Sequence, residues 1–188
     1  MILAIETSTE FLSIAIGEND NVMWEYNLFI EFSHTENLNK ILSMLEVDFS
    51  KIEEVVISRG PGFFTSLRIS TAFSKAFKIV YNDVKFKAVS SLKNIAYNIK
   101  GYRVIPILKA PKNKVYACAF DENFNIVLEE GIYSLEELKM DFPNFIILEN
   151  YPTASNLIRL SKFENYVDIE TFEPNYIREP DALYNKRG

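Results

Sequence analysis

Apolar and polar positions along this chain keep two rhythms, one of two residues and one of three to four, and change over at turn residues. Residues 2–5 form a continuous apolar run of the kind a central strand carries. Glu6-Thr7-Ser8-Thr9-Glu10 ends that run as a polar turn. Residues 11–17 alternate, with Leu12, Ile14 and Ile16 on one side. After the turn signal Asn19-Asp20-Asn21, Val22, Trp24, Tyr26 and Leu28 alternate against Met23, Glu25 and Asn27. The pattern predicts an antiparallel three-stranded meander. Ser33-His34-Thr35-Glu36 then matches a capping box, and Leu38, Ile41, Leu42 and Leu45 supply the buried stripe of the helix it opens.

The richest stretch is residues 55–80. Val55-Val56-Ile57 reads as a buried strand, and Arg59-Gly60-Pro61-Gly62 as a tight loop. Thr65 is the expected helix cap. Ile69, Phe73, Ala76 and Val80, with Ala72 and Phe77 beside them, form the apolar stripe expected to face the core. Ser66, Ser70 and Ser74 recur every four residues as a row beside it, with Arg68, Thr71, Lys75 and Lys78 opposite. Exposed serines need no explanation; a smooth, small-residue flank could equally serve docking. The loop lacks both the Walker pattern and the dinucleotide fingerprint, so anion binding at the helix start rests only on Gly60, Gly62 and free N–H groups.

A strand at residues 86–89 and a helix at 91–100, capped by Ser90 or Ser91, complete a β-β-β-α-β-α-β-α lobe over residues 1–100. Residues 103–108, 115–120 and 126–129 are strands, Ser134 opens a short helix, 145–148 is a strand and 153–160 a helix. The expectation is a two-lobed α/β chain divided at Gly101, each lobe a mixed sheet with helices, with residues 101–188 a reduced copy.

Composition narrows the functional classes. With 48% hydrophobic residues the chain can build a core, and a net charge of −6 argues against a nucleic-acid binder acting alone. The single cysteine, Cys118, lies in an apolar run, reads as a buried strand residue, and fits a reducing cytoplasm. No signal peptide is read ahead of the first strand, and no apolar run approaches the roughly 20 residues of a membrane span.

Four segments together resemble the TsaB (YeaZ) family. They are the opening residues 2–9 with Leu12-Ser13-Ile14-Ala15; His34-Thr35-Glu36-Asn37-Leu38, similar to its H-[ST]-E-x-L; residues 60–68, similar to its G-P-G-S-F-T-G-L-R; and Pro174-Asn175-Tyr176-Ile177-Arg178, similar to its P-x-Y-L-R. Phe63 and Ser66 depart from the family's serine and glycine, and the second lobe is short for it. The resemblance implies an actin/sugar-kinase/Hsp70-like fold. It also implies a non-catalytic partner of TsaD, which with TsaE forms threonylcarbamoyladenosine beside the anticodon of ANN-decoding tRNAs. TsaD would carry metal and chemistry, pairing with this chain through helices of the N-terminal lobes. tRNA would be met only through the complex, as would ATP or ADP.

The residues leave little for chemistry of the chain's own. His34 is the only histidine, and Leu38 stands where a second metal-binding imidazole would be, so a His-x-x-x-His site is impossible. Glu6, Thr7, Ser8 and Thr9 occupy the turn where active members of the fold offer Asp-x-Gly-Thr, and with Gly60 and Gly62 they are the candidate contacts to a phosphate. No nucleophile elbow is present. The expected partner surface comprises His34, Leu38, Met44, Ser66, Arg68, Ser70, Ser74 and Phe77. The alternatives are a stand-alone ATPase or peptidase-like enzyme of the same fold, and a homodimeric regulator pairing through the same helix face.

Overall fold

The computed structural model describes residues 1–30 and 34–177. The Ser33 capping box, Arg178 and the Lys186-Arg187 tail lie outside the described residues.

The meander forms as the alternation predicts. β1 (Ile2–Glu6), β2 (Phe11–Glu18) and β3 (Asn21–Phe29) pair antiparallel, with Ile5 opposite Ile14 and Ile16 opposite Trp24. α1 (His34–Met44) follows, then a 3-10 turn at Phe49–Lys51 and β4 (Glu54–Gly60), which lies parallel to β1. α2 (Phe64–Val80) crosses over to β5 (Lys85–Ser90), parallel to β4. The strand order in this five-stranded sheet is β3-β2-β1-β4-β5.

After α3 (Ser91–Ala96) and a 3-10 turn at Tyr97–Ile99, the chain enters a second sheet. Its strands are β6 (Val104–Ala110), β7 (Lys114–Phe120), β8 (Ile126–Tyr133) and, after α4 (Leu135–Asp141), β9 (Ile146–Glu149). The order β8-β7-β6-β9 repeats the β3-β2-β1-β4 part of the first sheet, with β6 and β9 parallel. Ser134 caps α4 in a full capping box with Glu137.

Each sheet is covered on both faces, and residue parity decides which helix each strand residue meets. Leu3, Ile5, Leu12, Ile14 and Ile57 point to the side of α1 and α2, where they meet Leu38, Ile41, Leu42 and Phe77. Ala4, Ala15, Val56 and Val89 point the other way, onto α5 (Ala154–Ser161) through Leu157, Ile158 and Leu160. Small side chains on that face let α5 settle close to the strands. α3 packs Leu92, Ile95 and Ala96 on Val104, Leu108, Cys118 and Phe120 of the second sheet, whose opposite face meets Leu138 of α4. Cys118 is fully buried, as its apolar run predicts, and burial pushes its thiol pKa up.

The chain does not stay with the second sheet after Gly101. α5 lies on the first sheet, Ile169 enters that sheet's core, and Val167 donates its N–H to the Phe86 carbonyl (2.9 Å). The residues after β9 thus close over the first sheet, a return that a left-to-right reading of elements cannot see. No helix among the described residues is long and apolar enough to cross a membrane.

Leu157 is completely buried between α5 and the first sheet. Leu157→Ala is expected to cost about 3 kcal/mol, through lost transfer energy and the cavity left behind. Urea unfolding followed by circular dichroism measures it, and both sheets are expected to unfold in a single transition.

Candidate functional site

The C-terminal ends of β1 and β4 meet where the first sheet faces the second. Glu6 ends β1 fully buried, its Oε1 accepting the Ser8 N–H at 2.7 Å. Its Oε2 has no partner among the described residues. Burial raises the Glu6 pKa, opposed by the hydrogen bond from Ser8. Thr9 Oγ1 accepts the Phe11 N–H (3.1 Å), and the Thr9 carbonyl lies 2.8 Å from His34 Nε2. A carbonyl oxygen only accepts, so Nε2 carries the hydrogen. His34 is therefore buried under this turn rather than exposed at a docking surface.

The loop after β4 lies directly on the same turn. Phe63 donates its N–H to the Ser8 carbonyl at 2.7 Å. A Cβ on Gly62 would fall 2.1 Å from that oxygen, so only glycine fits there. Gly60 adopts φ +92°, open to glycine but strained for other residues. The loop thus packs directly on the turn, tied to it by the Phe63 N–H and the close approach of Gly62. Between the sheets remains a cleft of about 260 Å³, bordered by Ser8, Gly62, Phe63, Lys109 and Tyr151, with the carboxylates of Glu10 and Glu149 at its edge. Two carboxylates beside one lysine make a poor setting for an anion. No group of three or more His, Cys, Asp or Glu residues gathers anywhere among the described residues.

α2 begins at Phe64, and its cap is Phe63, without a side-chain hydrogen bond; Thr65 lies inside the helix and does not cap it. The helix is also turned relative to the sequence expectation. Ser70 and Ser74 are 0% exposed, and Ser66, Thr71 and Phe77 are buried with them. Thr7 Oγ1 donates to the Ser66 carbonyl (2.8 Å) and lies 3.1 Å from Ser70 Oγ, which ties the serine row to the turn after β1. Thr71 Oγ1 donates to the Leu67 carbonyl at 2.9 Å. Small hydroxyl side chains let the helix approach the turn and sheet, where larger ones would hold it off.

The expected surface is accordingly corrected. His34, Leu38, Ser66, Ser70, Ser74 and Phe77 are buried, whereas Met44 and Arg68 are exposed. In place of the buried residues, Ala72, Ala76, Ile79 and Val80 face outward, with Ile69 and Phe73 half-buried beside them. Ile79 is 79% exposed, Met44 at the end of the neighbouring α1 71%, and Val80 69%.

A second junction was not signalled by any motif. Glu130 on β8 accepts from Arg59 at the end of β4 (3.2 Å) and from Ser90, the cap of α3. Its other oxygen accepts from Asn175 Nδ2 (3.1 Å), and Asn175 donates its backbone N–H to the Arg59 carbonyl at 2.6 Å. Three distant segments converge on one carboxylate, a partnership that residue spacing cannot announce.

The family model for tRNA N6-adenosine threonylcarbamoyltransferase, TsaD, matches residues 32–169. The tRNA threonylcarbamoyladenosine biosynthesis protein TsaB of Bacillus subtilis (strain 168) is 30% identical, over 96% of this chain and 95% of that one. The chain belongs to the TsaB family. The protein of the same name from Buchnera aphidicola subsp. Acyrthosiphon pisum (strain APS) is 28% identical, over 97% of this chain and 85% of its own. YeaZ from Pseudomonas aeruginosa superposes with a TM-score of 0.76 at 22% identity, covering 93% of this chain and 99% of that one, so the fold is shared along nearly the whole length. The arrangement of two mixed sheets, the second smaller, is thus a fold this chain shares with YeaZ. For the TsaB family, the rotation of α2 means that the serine-for-glycine departure at Ser66 sits inside, against Thr7, and not on the outer face.

Glu6 gives a pH test. Its folded pKa lies above its ordinary 4.5, so the stability it leaves intact below 4.5 is lost as pH rises through the folded value. Glu6→Gln, which imitates the protonated side chain, is expected to be more stable than the parent near neutral pH, with the gain vanishing below 4.5. Urea midpoints across pH measure the difference; identical midpoints at neutral pH would contradict a buried, proton-favouring Glu6.

Proposed function

We propose that this chain is a non-catalytic subunit of tRNA threonylcarbamoyladenosine biosynthesis and docks on TsaD through the outer faces of α1 and α2. The observation that carries the reading is the outward row Ala72, Ala76, Ile79 and Val80, continued by Met44. Alanines allow a partner helix close approach, and the larger apolar side chains at the end of the row supply buried area. TsaD is the fitting occupant, because residues 32–169 match its family model and the two proteins would present like helix pairs to each other. Two such pairs can meet about an approximate two-fold axis, as isologous surfaces do.

The non-catalytic part of the reading is supported by the turn after β1. Glu6 Oε1, the Thr9 hydroxyl and carbonyl, His34 and the Ser8 carbonyl are engaged within the turn or with the Phe63 N–H, which favours a structural part for these groups. In this reading residues 1–100 form the docking lobe and residues 101–188 the reduced one, whose C-terminal part braces the first. TsaE joins the assembly in the cytoplasm, and tRNA is met through the complex. Without TsaD the same face is available to a second copy.

Ala72→Arg and Ala76→Arg are expected to keep the circular dichroism spectrum and to weaken TsaD binding about tenfold or more, since each drives a long charged side chain into a close helix contact. Ser70→Arg is expected to unfold the protein, because it enters the buried contact with Thr7. Calorimetric titration against TsaD reads the first pair. Reconstitution of tRNA modification with TsaD and TsaE, with and without this chain, tests the role. Unchanged affinity of both alanine variants would remove this face from the interface.

A further inference from the structure

Beside the outward row of α2 lies a groove of about 390 Å³ between the helix and the segment before Ile177. Phe64 and Tyr176 form its floor, ring centroids 4.6 Å apart. The Arg68 guanidinium lies 5.5 Å from the Phe64 centroid. Lys75 follows on the same side of the helix, two turns or roughly 10 Å further along, and it also lines the groove. Ala72 lines the groove and belongs to the outward row, so the two surfaces are continuous.

The charges here run against the rest of the chain. The protein carries a net charge of −6, yet Arg68 and Lys75 form no ion pair with any carboxylate among the described residues. Glu173 borders the groove and is exposed, within reach of solvent rather than bound to either cation. The Phe64 ring draws Arg68 toward the groove by cation–π attraction. A guanidinium beside an aromatic ring suits a carboxylate, which it can bind with two parallel hydrogen bonds.

Resting on the docking reading above, we infer that this groove receives an Asp or Glu side chain from the TsaD surface that covers α2, gripped by Arg68 with Lys75 adding attraction. The apolar row supplies contact area, and the groove fixes the register of the partner helix along α2. A nucleic-acid phosphate is the weaker candidate. Backbone tracking needs an extended basic stripe, and here Glu173 interrupts a patch of two cations.

The test uses the full-length chain titrated against TsaD at low and high salt, with Arg68→Gln, Lys75→Gln and Arg68→Lys. Arg68→Gln is expected to lower affinity about tenfold and to flatten the salt dependence, as loss of a charged contact does. Lys75→Gln is expected to act mainly on the salt dependence. Arg68→Lys keeps the charge but not the fork, and is expected to retain the salt dependence while recovering only part of the affinity. Arg68 is exposed, and unchanged thermal unfolding of the variants excludes a folding defect as the cause. If Ala72→Arg abolishes binding while Arg68→Gln binds like the parent at both salt concentrations, the groove proposal is overturned and the docking face stands. If Arg68→Gln spares TsaD affinity but lowers tRNA retention by the assembled complex, the groove serves phosphate and the proposal is likewise overturned. Failure of the parent to bind TsaD removes both readings together.

Discussion

The Ser8 carbonyl decides where α2 lies. It accepts the Phe63 N–H at 2.7 Å, and Gly62 approaches it so closely that a single added carbon would collide with it. Thr7, one residue earlier, binds the first turn of the helix through the Ser66 carbonyl. These contacts press the loop and the helix start onto the end of β1. Buried backbone polar groups must find partners, and here the partners of turn and loop are each other. The same contacts therefore do two things. They position α2 against the sheet, and they engage the Phe63 N–H and the Thr7 hydroxyl within the fold.

Once the serine row is drawn inward, helix geometry leaves no choice about what faces outward. The side opposite Ser70 and Ser74 carries Ala72, Ala76 and Ile79, and these become surface. Hydropathy ranks the two rows in the opposite order, and that is why the rotation was illegible in the sequence. A serine scored by transfer energy belongs outside; a serine that packs tightly and lies beside a threonine hydroxyl belongs inside. Phe77, expected both beside the core stripe and on the partner surface, lies inside, where its size and hydropathy place it.

Much else could be read. The meander, the parallel strands at Val55-Val56-Ile57 and Phe86, and the Ser134 capping box follow from period and turn chemistry, and the structure has each, though β4 runs on to Gly60 and takes in Arg59 and Gly60, expected in the loop. Those signals are local. What escaped notice is long-range: the return of α5 to the first sheet, His34 reaching back to the Thr9 carbonyl, and the convergence on Glu130. No periodicity encodes a contact between residues 40 or more positions apart, such as Ser90 with Glu130.

That last convergence gives the outer face its firmness. Glu130 belongs to the second sheet, but its partners are the end of β4, the cap of α3 and Asn175. A half-buried carboxylate with three donors is well compensated, and removing any one would leave charge poorly paired. Asn175 is held from both sides, by Glu130 and by the Arg59 carbonyl, and its neighbour Tyr176 is thereby set against Phe64 on α2. The second sheet thus reaches the outer face through a chain of contacts from Glu130 to Asn175 to Tyr176. Where the face carries Ala72 and Ala76 it has few side-chain atoms with which to adapt to a neighbour. Its complementarity must come from a backbone already in place, where little ordering remains to be done on binding.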